Sequence, residues 1–596
     1  MSSVSERSSI EEDYRWDLES IYASDEDWEE AFETAESLIE ALADYEDRIT
    51  EDANGLLETL ERYEEMMRQV SMVYAYARMR RDEDMADDHY QALASRGQSL
   101  TARASSAASF MDPAIQSLEW TEIEAMIDDE PALAEYDHYL EDIHRQREHT
   151  RSAEVEALLA DLGEVLSGPR EIYSTLSNAD MTFPTVEDED GESVEITQAN
   201  VVDLLKRPNR DFRESVYTAF YDEWETVRNA VATSLETHVK RNVKLAEARG
   251  YESAREAALD DPNVPPVVYD TLVETVHDRL DLLHRHAELK RKALEVDELQ
   301  MWDLYMPVAR SESPTIPYEE AMDHVIEAVT PLGGDYQERI ADGLDSRWVD
   351  VYETPNKRSG AYSGGTYDTQ PFILMNYQDT VGSMYTLAHE LGHSLHSELT
   401  SENQPYVYSS YEIFVAEVAS TVNETLLTHH LLETVDDEQF RRHVLDQYLE
   451  NFRNTLYRQT MFADFEQRIH ERVEEGRALT PESVNECYGG LKAEFYEPAV
   501  VDDRIAREWM RIPHFYYDFY VYQYSTGISA AVAIASRIIE DGESAASPYR
   551  DFLKRGSRDY PLELLEDIGL DMRSGEPIDR ALDVYDDYLT EMAELL

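Results

Sequence analysis

The chain has 596 residues, of which 42% are hydrophobic and 10% aromatic, so it can bury sizeable cores and is expected to form more than one lobe. Its formal net charge of −75 leaves no basic patch to meet phosphates, which excludes nucleic acid and anionic membranes as expected partners. Cys487 is the only cysteine, so neither an internal disulfide nor a multi-cysteine metal cluster can form.

The basic residues are unevenly divided, since only eight of the 52 are lysines. This pattern resembles the cytosolic proteins of organisms that keep molar salt inside, where a Debye length of roughly 3 Å screens the repulsion among carboxylates. The first residues lack the basic and apolar segments of a secretory signal. We therefore predict a cytoplasmic protein from a salt-adapted organism, while the oligomeric state is left open.

Helical periodicity dominates the chain from its start. Residues 26–110 predict two or three long helices, and the helical pattern continues through 130–178. Residues 181–197 break it, because two β-type stretches flank the acidic turn EDEDGE and predict a hairpin. A second non-helical segment, residues 359–377, is rich in glycine and includes the apolar strand Phe372–Met375. The rest of the chain is mostly predicted to be helical.

The run TLAHELGHSLH contains the pattern H-E-x-x-H. On a helix, residues i and i+4 differ by about 40° in rotation, so His389 and His393 project from one face and can share an ion. Catalytic zinc takes three protein ligands and a water, and Glu390 can act as general base on that water. Gly392 costs about 1 kcal/mol in a helix, which indicates close approach of another backbone or of the site. Asp379 is the predicted N-cap of this helix.

The next helix supplies a third ligand. Glu417 lies in an apolar stretch, and a metal ion would offset the cost of burying its carboxylate. Glu424, two turns further on the same face, is predicted to hydrogen-bond a ligand histidine, with a solvent-facing acid as the alternative. Glu412 is a rival ligand, but its place near the helix start favours a first-turn acid. His396 is interpreted as structural, since a fourth protein ligand would occupy the position that water needs.

The run HELGHSLHS, followed by FVAEVAS and NE, resembles the thimet-oligopeptidase superfamily of zinc peptidases, and within it the oligoendopeptidase F-like group. The stretches YRWDLESIY, RDFRESVY and IPHFYYDFYVYQYSTG agree, so the resemblance spans essentially the whole chain. It implies a mostly α, two-lobed ellipsoidal zincin with a deep channel and small β elements near 181–197 and 359–377. It also implies one zinc per chain, bound by His389, His393 and Glu417, with Glu390 as base. The predicted regions are an N-terminal helical region (1–110), a small helical region ending in the hairpin (111–200) and a catalytic domain (201–596).

The resemblance further assigns His514 and Tyr522 to the stabilisation of the oxyanion that forms during peptide hydrolysis. They belong to residues 514–524, which carry one histidine and five tyrosines, and packing in a core is the alternative interpretation. Peptide substrates are often bound as an added strand. The glycine-rich segment 360–365, just before the H-E-x-x-H helix, is the predicted edge or lid, with an ordinary loop as the alternative. Its predicted substrate-binding residues are Gly360, Ala361 and Tyr362.

Together these features predict a zinc-dependent endopeptidase that hydrolyses internal bonds of short oligopeptides with a metal-activated water. A helical zinc carboxypeptidase is one alternative, and it would need a cationic residue for the substrate's C-terminal carboxylate, which the sequence does not place. A non-catalytic helical scaffold with a chance motif is the other, and it predicts no bound metal.

Overall fold

A computed structural model describes residues 4–309 and 314–596. Its first half is built almost entirely of helices, with the long N-terminal helices where the periodicity predicts them. In chain order these are α1 (Asp25–Leu42), α2 (Ala53–Glu83), α3 (Asp88–Ala108), α4 (Met111–Ser117), α5 (Trp120–Asp129), α6 (Asp137–Arg145), α7 (Ala153–Thr175), α8 (Val201–Leu204), α9 (Arg210–Thr226), α10 (Arg228–Arg249), α11 (Ala254–Leu259), α12 (Pro266–Asp278) and α13 (Leu280–Ala293).

Helices also form most of the second half: α14 (Tyr318–Ala328), α15 (Gly334–Asp345), α16 (Val381–Asn403), α17 (Ile413–Thr434), α18 (Glu438–Asn451), α19 (Arg458–Glu474), α20 (Pro481–Phe495), α21 (Tyr522–Asp541), α22 (Glu543–Phe552), α23 (Pro561–Asp567) and α24 (Glu576–Leu595). The mostly α fold is therefore confirmed. Within residues 4–309 and 314–596, no helix has both the length and the apolar character needed to span a membrane.

Five short strands form two small sheets in the described chain. Strands β1 (Thr185–Glu187) and β2 (Ser193–Glu195) pair as the predicted antiparallel hairpin. Strands β3 (Val349–Tyr352), β4 (Tyr362–Gly364) and β5 (Phe372–Tyr377) form a second sheet in the order β3-β5-β4, with β3 parallel and β4 antiparallel to β5. The sequence did not predict β3, because its buried Asp350 interrupts an apolar pattern of only four residues. That carboxylate is paired with Lys357 at 2.6 Å.

The chain divides into two compact units, each assembled from segments that are separate in sequence. The first unit comprises Met1–Glu148, Ser313–Thr434 and Ile534–Gly569, and the second comprises His149–Glu312, Val435–Ala533 and Leu570–Leu596. The division into three consecutive regions at 1–110, 111–200 and 201–596 stays a prediction.

In the first unit, the β3-β5-β4 sheet is held against helices α1 to α3. Phe372 and Leu374 of β5 join a buried cluster with Trp16, Trp28 and Tyr76. Since alternate residues of a strand face opposite sides, the other face of β5 is turned towards α16, which also contacts β4 and α17. The sheet therefore places β4 between α2 and the helix that carries the H-E-x-x-H motif.

The helix α16 begins one residue later than predicted. Thr380, not Asp379, is its N-cap, because the Thr380 hydroxyl accepts a hydrogen bond from the backbone amide of Ser383 at 3.1 Å. Asp379 instead has a positive φ of 51°, and its carbonyl accepts a hydrogen bond from the Ile316 amide at 2.9 Å. The histidines lie in the third and fourth turns of the helix, so the correction leaves the motif on one face.

Candidate active site

Helices α16 and α17 are in close contact at Gly392. A Cβ atom at this position would lie 2.6 Å from the carbonyl oxygen of Ala419 and 2.6 Å from the Cα of Ser420. Only glycine fits such a distance between two backbones. Asn423 adds a second link, since its side-chain amide donates to the carbonyl of Ala388 at 3.2 Å. The close approach predicted from Gly392 is confirmed, and it brings α17 beside both histidines.

His389, His393 and Glu417 converge on one point. The two Nε2 atoms are 3.1 Å apart, and the Oε2 atom of Glu417 lies 3.4 Å from the first and 3.6 Å from the second. Tetrahedral ligands at about 2.0–2.1 Å from a zinc ion are separated from one another by roughly 3.3 Å. The three atoms thus match the spacing that zinc requires, and a set of two imidazoles and one carboxylate is typical of a catalytic site with one position left for water.

Glu424 makes the predicted hydrogen bond to His389. Its Oε1 accepts from Nδ1 of His389 at 2.7 Å, which leaves Nε2 of the same ring directed at Glu417. Burial lowers the pKa of His389, but Glu424, Glu417 and Glu390 together raise it to about 9. Burial raises the pKa of Glu417, but His393 and His389 lower it to about 2. The three glutamates therefore concentrate negative charge around the two imidazoles, and such a concentration favours the binding of a cation.

Glu390 lies beside the first histidine and is 7% exposed. Burial raises its pKa, although His389, His393 and a hydrogen bond from the backbone amide of Ser363 act in the opposite direction. Ser363 is the middle residue of β4 and lies opposite Ile373 of β5. Because its amide is directed at Glu390, this part of β4 turns a backbone group away from β5, towards the open edge of the sheet.

A cavity of about 630 Å³ in the first unit opens beside Glu390 and His393, and we call it the active-site cavity. Its volume lies in the range of about 300–1,000 Å³ that is common for ligand pockets. Ala361 and Tyr362, two of the predicted substrate-binding residues, line it together with the rest of β4. Gly360 comes just before them, with a φ of 86°, and its carbonyl accepts a hydrogen bond from Asn376 at 2.8 Å.

Two residues close in sequence to the proposed ligands, His396 and Glu412, are not part of the group that could hold a metal ion. His396 is 1% exposed, and its ring stacks on Tyr411 with centroids 3.8 Å apart. Burial, with a smaller effect of His393, lowers its pKa to about 3. Glu412 directly precedes α17, whose first residue is Ile413. Among the described residues, the group that could hold a metal ion consists of His389, His393 and Glu417.

His514 and Tyr522 belong to the second unit. His514 lies in the short 3-10 turn Pro513–Tyr516, and burial, aided by the charge of Arg458, lowers its pKa. Tyr522 is the first residue of α21 and is 1% exposed, with its ring centroid 5.2 Å from that of Tyr269. Their assignment to the oxyanion stays a prediction.

Several residues of the active-site cavity were not predicted as site residues, and Tyr411 and Arg78 are two of them. Tyr411 donates to or accepts from Ser397 at 3.0 Å, and burial raises its pKa to about 12. Ser363 lies within the predicted edge or lid, residues 360–365, but was not among the predicted substrate-binding residues. Arg78 is on α2, far earlier in the chain, and no local pattern connects that helix with the motif.

Profiles of two known families match the chain. The profile described as peptidase family M3 matches residues 203–584, and the profile described as oligopeptidase F matches residues 115–183. Oligopeptidase PepF of Bacillus subtilis is 43% identical over 592 residues, which cover 99% of this chain and 88% of the relative. Group B oligopeptidase PepB of Streptococcus agalactiae is 40% identical over 591 residues, which cover 99% of this chain and 98% of the relative.

Solved structures show the same similarity in three dimensions. A Chlamydophila abortus protein described as a peptidase superposes with a TM-score of 0.92 at 32% identity, covering 100% of both chains. The oligoendopeptidase-F of Enterococcus faecium superposes with a TM-score of 0.73 at 36% identity, covering 96% of this chain and 99% of that one. The similarity therefore extends over both compact units.

Proposed function

Because the chain belongs to peptidase family M3, we propose that it is a zinc-dependent endopeptidase that hydrolyses internal bonds of short oligopeptides. The observation that carries this proposal is the spacing of 3.1, 3.4 and 3.6 Å among the donor atoms of His389, His393 and Glu417, with Glu390 on the same cavity. The relatives named as oligopeptidases support peptides as the substrate class.

His389 and His393 would hold the zinc ion through Nε2, and Glu417 through a carboxylate oxygen. When bound, zinc acts as a Lewis acid that lowers the pKa of a coordinated water and polarises the scissile carbonyl. Glu424 keeps the proton of His389 on Nδ1 by accepting its hydrogen bond at 2.7 Å, so that Nε2 is available as a ligand.

Glu390 accepts the proton of the attacking water and can return it to the departing amine nitrogen. Its burial favours this role, because a carboxylate with a raised pKa is a stronger proton acceptor. The amide of Ser363 holds the carboxylate in one orientation. A glutamine at this position would keep the size and the hydrogen bond but could not accept the proton.

The open edge of β4 is the proposed binding surface for the substrate main chain. An extended peptide can add to such an edge through backbone hydrogen bonds, with its side chains in pockets on either side. Ala361 and Tyr362 belong to this surface, and Gly360 gives the chain the positive φ with which it enters the strand. We also assign His514 and Tyr522 to hydrogen bonds with the developing oxyanion.

The test uses oligopeptides blocked at both ends and the same peptides with free ends. The proposal predicts that the purified chain cleaves both at internal bonds, that a chelator abolishes cleavage, and that added zinc restores it. Mass spectrometry of the products identifies the bonds. Release of single C-terminal residues from free peptides alone would indicate a carboxypeptidase, and absence of both zinc and cleavage would indicate a scaffold. The cytoplasmic location and the exclusion of nucleic acid and membranes stay predictions from composition.

A further inference from the structure

Arg78 is the only arginine or lysine among the described residues that line the active-site cavity. Within the described chain it has no carboxylate oxygen within 4.0 Å, and its buried Nε has no hydrogen-bond partner. The other arginines of α2 all have such a partner: Arg62 pairs with Glu65, Arg68 with Asp368, Arg80 with Glu19 and Glu83, and Arg81 with Asp82. The unpaired arginine is thus the one that faces the cavity.

Arg78 contacts β4 on both sides of Ser363. Its guanidinium carbon lies 5.3 Å from the centroid of the Tyr362 ring, and its Nη2 would lie 3.3 Å from a Cβ added to Gly364. Between these two residues, Ser363 directs its backbone amide at Glu390. Arg78 and Glu390 therefore line the same cavity and are both adjacent to β4.

The two carboxylates that line the cavity are negative, and each already has a partner. Glu398 is paired with Arg339 at 2.9 Å, and Glu390 accepts the hydrogen bond from Ser363. In a chain with 127 acidic and 52 basic residues, an acidic ligand is repelled by the protein as a whole. A guanidinium without a carboxylate partner is therefore the feature of this cavity that can bind an anionic group, and its planar fork matches a carboxylate.

We propose that Arg78 binds a carboxylate of the peptide substrate and makes the enzyme prefer peptides that carry one near the cleaved bond. The carboxylate is either the C-terminus of a short peptide or the side chain of an aspartate or glutamate. The proposal rests on the proposed peptidase function.

The stacking of Arg78 on Tyr362 is compatible with this role. Tyr362 is fixed by a hydrogen bond from its hydroxyl to Asp82 at 3.0 Å, and Arg358 lies near its ring at 5.5 Å. A guanidinium on an aromatic face keeps its N–H groups at the edge of its plane, where a carboxylate can accept them. Stacking therefore orients the group without using its hydrogen-bonding capacity.

The test compares two pairs of fluorogenic peptides with blocked N-termini. The first pair differs only in a free or amidated C-terminus, two residues beyond the cleaved bond. The second pair is amidated and differs only in glutamate or glutamine at that position. The ratio of kcat/KM within each pair is measured for the wild type, Arg78→Gln, Arg78→Lys and the control Arg68→Gln. Arg68 is also on α2 and lies over Tyr367, a residue of the cavity, at 4.8 Å, but it is paired with Asp368.

The wild type should favour the carboxylate member of at least one pair by about 10- to 100-fold in kcat/KM, mainly through KM, since hydrogen bonds to charged groups have this strength. Arg78→Gln should bring that ratio close to one, Arg78→Lys should retain part of it, and Arg68→Gln should leave it unchanged. Which pair responds identifies the C-terminus or the side chain as the bound group. Because each ratio is taken within one variant, changes in folding or zinc content cancel.

A wild-type ratio near one for both pairs, or a preference that survives in Arg78→Gln, would overturn the assignment of Arg78 while leaving the peptidase proposal intact. If the zinc-loaded wild type cleaves none of the four peptides, the peptidase proposal fails instead. Calorimetric titration of the same peptides then decides the role of Arg78 separately. Tighter binding of the carboxylate peptides by the wild type than by Arg78→Gln supports it, and equal binding contradicts it.

Discussion

Glu424 accepts a hydrogen bond from Nδ1 of His389 at 2.7 Å, although the two residues are carried by different helices. This contact determines which nitrogen of the imidazole holds its proton and where the other nitrogen points. It depends on the close packing of α16 against α17 at Gly392, so the geometry of the proposed metal site is set by a helix pair as well as by the ligands themselves.

Replacing Glu424 with glutamine should weaken zinc binding by about 10- to 100-fold, because supporting residues of metal-bound histidines typically contribute this much. Competition with a chromophoric chelator measures the affinity. Glu433→Gln is the matched control, since Glu433 contacts His429 at 3.4 Å on the same helix but lies away from the proposed ligands. Equal zinc affinity in Glu424→Gln and the wild type would contradict the supporting role.

Gly392→Ala should lower the free energy of unfolding by about 1–3 kcal/mol, the usual effect of overpacking, because the added methyl group meets the backbone of α17. The same separation of the helices should weaken zinc binding. Denaturant unfolding with and without zinc measures both effects. In the control Gly382→Ala, the nearest atom to the new Cβ is Thr380 Oγ1 at 3.8 Å, so no loss of stability is expected. Two variants of equal stability would show that the helices tolerate a side chain here.

A buried glutamate of the second unit, Glu466, is expected to make the stability of the protein depend on pH. It is fully buried on α19, and its Oε1 accepts a hydrogen bond from the Phe519 amide at 2.8 Å. Burial raises the pKa of Glu466 to about 8; the Phe519 amide opposes this shift and Asp518 adds to it. Since the folded protein then holds this proton more tightly than the unfolded chain, the stabilisation is complete below the unfolded pKa and is lost as the pH rises towards about 8.

Glu466→Gln should remove this part of the pH dependence, because the amide stays neutral and can still accept from Phe519. The free energy of unfolding is measured at about pH 6, where part of the stabilisation from Glu466 remains, and at about pH 9, where it is lost. The wild type should lose more stability between the two than the variant. Glu471→Gln, an exposed position on the same helix, serves as the control and should keep the wild-type profile. Parallel profiles for Glu466→Gln and the wild type would show that the carboxyl does not titrate as described.

Tyr522→Phe should lower kcat by about 10²–10³ with little change in KM, since an oxyanion donor acts only as negative charge develops. Tyr520→Phe removes a hydroxyl from the same aromatic segment and is the control. His514→Ala should resemble Tyr522→Phe. An effect of Tyr522→Phe on KM alone would make this residue a substrate contact, and no effect on either constant would place it in the core.

The proposed ligands could be predicted because their information is local. Helical spacing places His389 and His393 on one face, and an acid in an apolar helix marks Glu417. Gly392 likewise indicated that another backbone packs closely against the helix, and this backbone is that of α17. The cavity could not be predicted in this way. Its wall includes Arg78 of α2, and nothing in the sequence near that residue indicates that the β3-β5-β4 sheet brings α2 to the motif.

The two errors in the predicted elements have different origins. Asp379 and Thr380 are both good N-cap residues, and only the hydrogen bond to Ser383 distinguishes them. The strand β3 was missed because Asp350 is buried, and its partners Lys357 and Arg7 become visible only in three dimensions.

The central claim is that three side chains hold one zinc ion and Glu390 accepts the proton of the attacking water. Its most direct test is to measure zinc content and kcat together for the wild type and Glu390→Gln. We predict one zinc per chain in both proteins, and a kcat reduced by about 10²–10⁴ in the variant, which is the usual contribution of a general base. Glu390→Gln that carries its zinc and turns over peptide at close to the wild-type rate would contradict the account.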